Sequence, residues 1–281
     1  MPPTRPSFPC TSDPAEAKTW FADLIEREPA SLSVIGSVAD GLIRDPTRYE
    51  NPRWWAAREG DTVVAAFMHT PPHPVHIALS TAVQARALAA QLATQGDVLP
   101  GVGGLRGPAE AFAEEWVTRT GARSTVVMAI GSFDLPVRPQ VPFPVSGRFR
   151  RATEGDLALV DAWHQEFVDV IEGAGRIPPS LHLQVADGRV GLWEDEGSAV
   201  SMAYASPANG GVTRISGVWT PPELRGHGYA SGVVAALSSE RQDSGEQCML
   251  YTDLANPTSN AIYEAMGYRR VGDGINISFS A

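Results

Sequence analysis

The sequence is poor in cysteine: Cys10 and Cys248 are the only two among 281 residues, and they stand far apart. A disulfide framework or a cysteine-ligated zinc site needs more thiols at closer spacing, so neither is expected. No apolar run approaches the roughly 20 residues of a membrane span, and the opening MPPTRPSFPCTSDP lacks the apolar stretch of an export signal. These absences predict a cytoplasmic protein with no membrane partner. Positive charge is scarce as well: 22 Lys plus Arg face 32 Asp plus Glu, a formal net charge of −10. A surface that tracks a phosphate backbone is therefore not expected, nor is a nucleic-acid partner. What the chain does have, 43% hydrophobic and 19% charged residues, is enough to bury substantial cores. Its length allows two domains of about 140 residues each.

The segment LPVRPQVPFPVSG, residues 135–147, holds four prolines and no helical period, which predicts an extended linker between domains at 1–134 and 148–281. After it, FRRATEGDLALVDAWHQEFVDVI predicts a short strand, Thr153 as an N-cap with Asp156 three residues on, and an amphipathic helix. A strand pair then falls between Ala186 and Ala205, with further strands at Thr213 to Trp219 and Cys248 to Asp253. Helices are expected from Gly228 to Gln242 and Pro257 to Met266, and a last strand from Tyr268 to Phe279. The first half repeats this order loosely, with helices near Pro14 to Arg27, in AVQARALAAQLATQG and in PAEAFAEEWVTRTG, and with strands between them. Both halves are thus α/β, and a tandem repeat is expected from element order. Trp54 and Trp55, adjacent on a strand, must face opposite sides of it.

TPPELRGHGYASGVVAAL, residues 220–237, puts a glycine-punctuated turn directly before a helix. A helix start offers unsatisfied N–H groups and a partial positive charge, which suit an anion. Gly226 and Gly228 let the backbone approach a phosphate without a Cβ, and Arg225 adds a cation. A plain structural turn is the simpler alternative. A Walker-type loop needs Gly-Lys-Ser/Thr, which does not follow Gly228. The dinucleotide fingerprint G-x-G-x-x-G has Ser231 at its third position, with Glu246 as a possible ribose acid, but only 53 residues follow Gly228.

Arg225-Gly226-His227-Gly228-Tyr229-Ala230 resembles the R/Q-x-x-G-x-G/A signature of the GCN5-related N-acetyltransferases. Asn256-Pro-Thr-Ser-Asn260-Ala-Ile-Tyr263-Glu-Ala-Met-Gly267-Tyr268 is similar to that family's second signature, N-x6-Y-x3-G-Y/F. FRRATEGDL looks like the first strand and helix of the same fold, so the resemblance covers most of 149–281. It implies an α/β fold of the α+β kind: a mixed, mostly antiparallel sheet whose two central parallel strands splay into a slot. It also implies acetyl-CoA as donor, with no metal, and an amine-bearing acceptor. By the same resemblance the backbone amides of Val218 and Trp219 bracket the pantetheine and thioester. The amides from Arg225 to Ala230 receive the pyrophosphate.

Acetyl transfer to an amine requires a neutral nucleophile, support for an oxyanion and a proton for the leaving thiolate. Asn256 at an N-cap and Pro257 at the first helical position define a helix start. From there Asn256, Asn260, Tyr263 and Gly267 fall on one helical face, and Tyr263 becomes the candidate acid, with a packing tyrosine as the simpler reading. The base is open. The strand before the glycine turn, TRISGVWT, carries no carboxylate. Asp253, at the end of the next strand, is the first candidate, and Glu166, His164, Glu194 and Glu196 follow. The missing strand carboxylate also motivates a different class, a non-catalytic acyl-CoA-binding sensor or scaffold. The net negative charge suits a cationic small-molecule acceptor.

Two other features invite readings the residues do not support. HTPPHPVH carries His69, His73 and His76, yet its prolines forbid the helical i, i+4 spacing that would aim two imidazoles at one ion. Between HIALS, residues 76–80, and the helix after it there is no glycine-arginine turn, and GVGGLRGP, residues 101–108, could be mistaken for another phosphate turn. Aligned on Pro108 the acid position in the first half is Glu114, and aligned on Gly121 it is Val117, so no tyrosine stands there. A degenerate first domain and one active site per chain are expected.

Overall fold

The computed structural model describes residues 8–281. The chain forms two units. The first takes the chain up to Ser132 together with Thr252–Ala255 and Val271–Ala281, and the second takes Phe133–Tyr251 with Asn256–Arg270.

In the first unit the order is β1 (Cys10–Thr11), α1 (Pro14–Arg27), α2 (Ser33–Arg44), β2 (Arg53–Glu59), β3 (Thr62–His69), β4 (Val75–Leu79), α3 (Ala82–Gln95), β5 (Gly101–Leu105), α4 (Arg106–Thr120) and β6 (Arg123–Leu135). Helix α1 begins where Asp13 accepts from the Ala15 N–H at 2.8 Å and Pro14 follows. Its buried Ala17, Phe21, Leu24 and Ile25 form one face. Helix α2 has no counterpart in the sequence reading, because Gly36 and Gly41 interrupt an otherwise regular Ile35, Ala39, Leu42 spacing. These two helices cover one face of the sheet, where Trp54, Ala56 and Met68 join their core. Helices α3 and α4 cover the other, with Trp55, Phe67, Leu88 and Phe112. Trp54 and Trp55 are both fully buried, on opposite faces as the pleat requires.

The second unit runs β7 (Arg148–Arg151), α5 (Leu157–Glu172), α6 (His182–Ala186), β8 (Val190–Asp195), β9 (Ser198–Ala205), β10 (Val212–Trp219), α7 (Tyr229–Asp243), β11 (Gln247–Asp253), α8 (Pro257–Met266) and β12 (Arg269–Ser280). Its strand order is β11-β10-β9-β8-β7, antiparallel apart from the parallel β10–β11 pair. Thr153 and Asp156 form the expected reciprocal cap, ahead of a short 3-10 turn that leads into α5. On the α5 side the core holds Val160, Trp163, Leu192, Met202 and Trp219. On the α7 and α8 side it holds Ile215, Val233, Leu237, Leu250, Met266 and Tyr268.

Strand β12 does not stay with the second unit, which corrects the division at a single proline-rich linker. Its residues Gly274 to Ser278 pair antiparallel with β5, and Ile275 and Ile277 complete the first unit's core. The glycines of GVGGL have their reason here. A Cβ on Gly101 would stand 2.2 Å from the Ile277 carbonyl oxygen, and one on Gly103 would stand 2.2 Å from the Asn276 side chain. The first unit's strand order is accordingly β1-β2-β3-β4-β5-β12-β6.

Candidate active site

Strands β10 and β11 pair in parallel from Val212↔Gln247 to Ile215↔Leu250, and the ladder ends there. Over the same stretch β10 bulges away from its other neighbour. Ser216 faces Tyr204 and Trp219 faces Met202, so β10 spends one residue more than β9. Gly217 absorbs the irregularity at φ +57. The Tyr204 ring occupies the space a side chain would need, since a Cβ on Gly217 would lie 2.0 Å from Tyr204 Cε1. Gly217 and Val218 thereby have no partner in either ladder, which frees main-chain groups at the end of the strand.

Beyond Trp219, Pro222–Leu224 make a 3-10 turn, Gly226 lies at φ +87, and Gly228 caps α7 at φ +80. No side chain caps α7. Arg225 donates through Nε to the Thr220 carbonyl at 3.0 Å, and its guanidinium lies 5.1 Å from the Trp219 ring centroid. His227 stacks on Tyr229 at 5.3 Å. The Tyr229 hydroxyl donates to Asp195 at 2.6 Å and the Ser146 hydroxyl to the same oxygen at 2.8 Å. These bonds hold the Asp195 carboxyl below its usual range and raise the Tyr229 phenol.

Helix α8 begins where the sequence places it. Asn256 Oδ1 accepts from the Ser259 N–H at 3.1 Å, Pro257 takes the first position, and Gly267 ends the helix at φ +106. Tyr263, two turns in, is partly buried against the same core cluster as Val218. Its ring meets Tyr268 edge-on at 5.8 Å, while the Tyr268 hydroxyl shares a 2.8 Å bond with Ser238. Burial pushes the Tyr263 phenol up to about 12.

The base candidates separate by position. Asp253 accepts the Ala255 N–H at 2.8 Å, and residues Thr252–Ala255 group with the first unit. Glu194 pairs with Arg148 at 2.7 Å and Arg150 at 2.9 Å. Glu196 sits in the β8–β9 turn at φ +49. His164 is buried, with Nε2 3.3 Å from the Tyr204 hydroxyl. Glu166 alone of the five touches the splayed strand, accepting the Trp219 indole N–H at 2.8 Å. Sequence reading missed Tyr204 and Ser201, whose hydroxyl donates to the Trp219 carbonyl at 2.9 Å. A glycine inside a strand, Gly217, was the available signal for the bulge they support.

The first unit shares the parallel pair but not the turn. β4 and β5 pair from Val75↔Val102 to Ile77↔Gly104, yet α3 opens on a reciprocal cap between Thr81 and Gln84. His69 is buried beside Arg53, 3.4 Å from its guanidinium, and burial lowers its pKa to about 4, keeping it neutral. A depression of about 750 Å³ beside the Pro46–Arg53 loop shares no residue with the glycine turn.

Residues 189–274 match a family model described as FR47-like protein. A solved Drosophila protein superposes with TM-score 0.68 at 14% identity, covering 98% of this chain and 99% of that one. A GCN5-related N-acetyltransferase from Sphaerobacter thermophilus superposes at 0.59 with 17% identity, covering 99% and 96%. The chain has the GCN5-related N-acetyltransferase fold. An acetyltransferase of that family from Colwellia psychrerythraea, at TM-score 0.57 and 10% identity, covers 97% of this chain and 98% of its own. The fold of these acetyltransferases therefore extends over both units. No curated protein matches the chain by sequence.

Proposed function

We propose that this chain transfers acetyl from acetyl-CoA to a primary amine. The observation that carries the reading is the uncapped start of α7, set directly after a strand whose last residues leave the ladder. An anion at the turn would meet the amides from Arg225 to Ala230, where Gly226 offers open space on its Cβ side. The pantetheine and thioester would lie along Ser216 to Trp219, with the amides of Val218 and Trp219 as donors to the thioester oxygen.

Tyr263 is the proposed acid. With its phenol pushed up to about 12, it stays protonated throughout the working range and can give its proton to the departing thiolate. Asn256 supports it indirectly, by fixing where α8 begins. On this reading the first unit has no pyrophosphate site of its own, because its corresponding helix start is closed by Thr81 and Gln84. Among the described residues no helix is long and apolar enough to cross a membrane.

Calorimetric titration with acetyl-CoA, using NAD as a control, tests the proposal. One acetyl-CoA per chain and no response to NAD are expected. Failure to bind acetyl-CoA would sink it. The absence of a carboxylate on β10 favours one alternative, a non-catalytic acyl-CoA sensor, which would bind acetyl-CoA but release no thiol with any amine.

A further inference from the structure

We infer that Glu166 receives the acceptor's amino group and that the acceptor is a primary amine on an apolar body, not a polycation. The inference rests on the acetyl-transfer reading above.

Glu166 is exposed, on the α5 side of the sheet, and its carboxylate is tied to the Trp219 indole N–H at 2.8 Å. It therefore stands one indole length from the backbone proposed to bracket the thioester. The Trp219 ring is itself 93% buried and carries the Arg225 guanidinium 5.1 Å from its centroid. That sandwich fixes the donor, and through it the carboxylate. Tyr263 belongs to the core on the opposite, α8 side. The place where an amine loses a proton is thus separated from the place where a thiolate gains one.

The surroundings of Glu166 set the substrate class. Asp161 accepts from the Ser180 hydroxyl and the Leu181 amide, and Asp169 accepts from Gln165. Asp161 holds down the segment that follows α5, with Gln165 also donating to the Arg176 carbonyl at 2.6 Å. One turn beyond Glu166, Val170 is 68% exposed, and on the tied-down segment Ile177 is 91% exposed. Glu166, the carboxylate bonded to the Trp219 indole, stands beside exposed aliphatics, which complements one ammonium on an apolar group. A polyamine would need several carboxylates spaced along it.

In the reaction, the bound ammonium first loses one proton through Glu166 to solvent; the lone pair of the resulting neutral amine forms the N–C bond to the thioester carbon, and negative charge collects on the carbonyl oxygen at the Val218 and Trp219 amides. The nitrogen, now cationic, gives one proton to Glu166. The C–S bond then breaks, the thiolate leaves with the bonding pair, and Tyr263 protonates it. The proton held by Glu166 and the one missing from Tyr263 are exchanged through solvent. The products are the acetamide and coenzyme A thiol, and both side chains are restored.

Thiol release should be followed with 2-phenylethylamine and spermidine, alongside calorimetric binding of acetyl-CoA. The wild-type kcat/KM should be at least about tenfold higher for 2-phenylethylamine. Loss of a general base typically costs ~10²–10⁴-fold, so Glu166→Gln should lower kcat/KM for this amine at least about tenfold and raise its KM, with acetyl-CoA affinity unchanged. Trp219→Phe should have a smaller effect in the same direction, and Val170→Asp should narrow the preference over spermidine. An unaffected Glu166→Gln, a preference for spermidine, or turnover of neither amine while acetyl-CoA binds would overturn the inference and leave the donor reading standing. Absence of acetyl-CoA binding in the wild type would overturn both.

Discussion

Gly217→Ala is the substitution whose cost the structure defines best. The residue lies at φ +57, a left-handed conformation that costs an L-residue about 1–2 kcal/mol. Its new methyl would meet the Tyr204 ring at 2.0 Å, and overpacking of this kind costs about 1–3 kcal/mol. Reduced freedom of the unfolded chain returns about 0.4–1 kcal/mol, leaving a net loss of about 1–5 kcal/mol. Tyr204 cannot simply yield, because its hydroxyl lies 3.3 Å from His164 Nε2 and its ring meets the imidazole edge-on at 5.4 Å. Two units need not unfold together. The assay is therefore peptide-resolved hydrogen exchange over residues 198–219 as urea is raised, in wild type, both single variants and the Tyr204→Ala/Gly217→Ala pair. The clash portion should vanish in the pair and the backbone portion should persist. A Gly217→Ala cost within about 0.5 kcal/mol, or an undiminished cost in the Tyr204→Ala background, would refute the argument that the ring and the bulge are fitted to each other.

Three further outcomes are expected. Tyr263→Phe should lower kcat about 10²-fold or more, the usual scale of a lost general acid, without changing acetyl-CoA affinity. With the wild-type phenol near 12, the alkaline side of the pH–rate profile should show no loss up to about pH 10; a loss there would contradict the assignment. Gly226→Asp introduces a carboxylate where no atom obstructs it, and calorimetry should show acetyl-CoA affinity falling at least about tenfold by repulsion of the pyrophosphate. Arg150, bonded twice to Asp156 at 2.8 Å, holds that carboxyl well below its usual range, with help from the Thr153 N–H and hydroxyl. Because the folded-state pKa is depressed, this stabilisation is complete above the unfolded Asp value of about 3.9 and is lost as pH falls further. Thermal unfolding between pH 2 and 7 should show that acid-side loss in the wild type and a flatter profile in Arg150→Met.

The glycine turn and α8 were legible because local chemistry dictates them. Gly226, Gly228 and Gly267 take positive φ, and Asn256 with Pro257 starts a helix wherever it occurs. The Trp54–Trp55 split followed from the pleat alone. Strand β12 was not assignable to the first unit, because Ile275 and Ile277 would suit a core on either side and only the pairing with glycine-rich β5 decides between them. Helix α2 was hidden by its own glycines. For the proposed base, sequence distance was uninformative: Glu166 and Trp219 meet at 2.8 Å across 53 residues. Asp253 looked better placed on its strand, but its carboxylate is engaged by its own loop.

The two helices that follow the central parallel pairing show how a fold can keep its architecture with or without an anion site. Helix α3 opens with Thr81 and Gln84 satisfying each other's backbone N–H groups, an arrangement worth about 0.5–2 kcal/mol at the cap. Helix α7 forgoes it: Gly228 has no side chain to accept with, and Gly226 and Gly228 both take conformations that glycine adopts at the cost of extra chain entropy. Both helices bury their apolar positions fully, Leu88 and Leu92 in α3 and Val233 and Leu237 in α7, but packing does bear on the cap itself, since a Cβ on Gly228 would stand 2.4 Å from Phe143 Cε2. The start of α7, without a side-chain cap, offers its first-turn N–H groups to an anion. On the proposed reading a bound anion takes that place with Arg225 beside it; α4 also opens without a side-chain cap, on Arg106, so what sets α7 apart is the pair of positive-φ glycines that precede it.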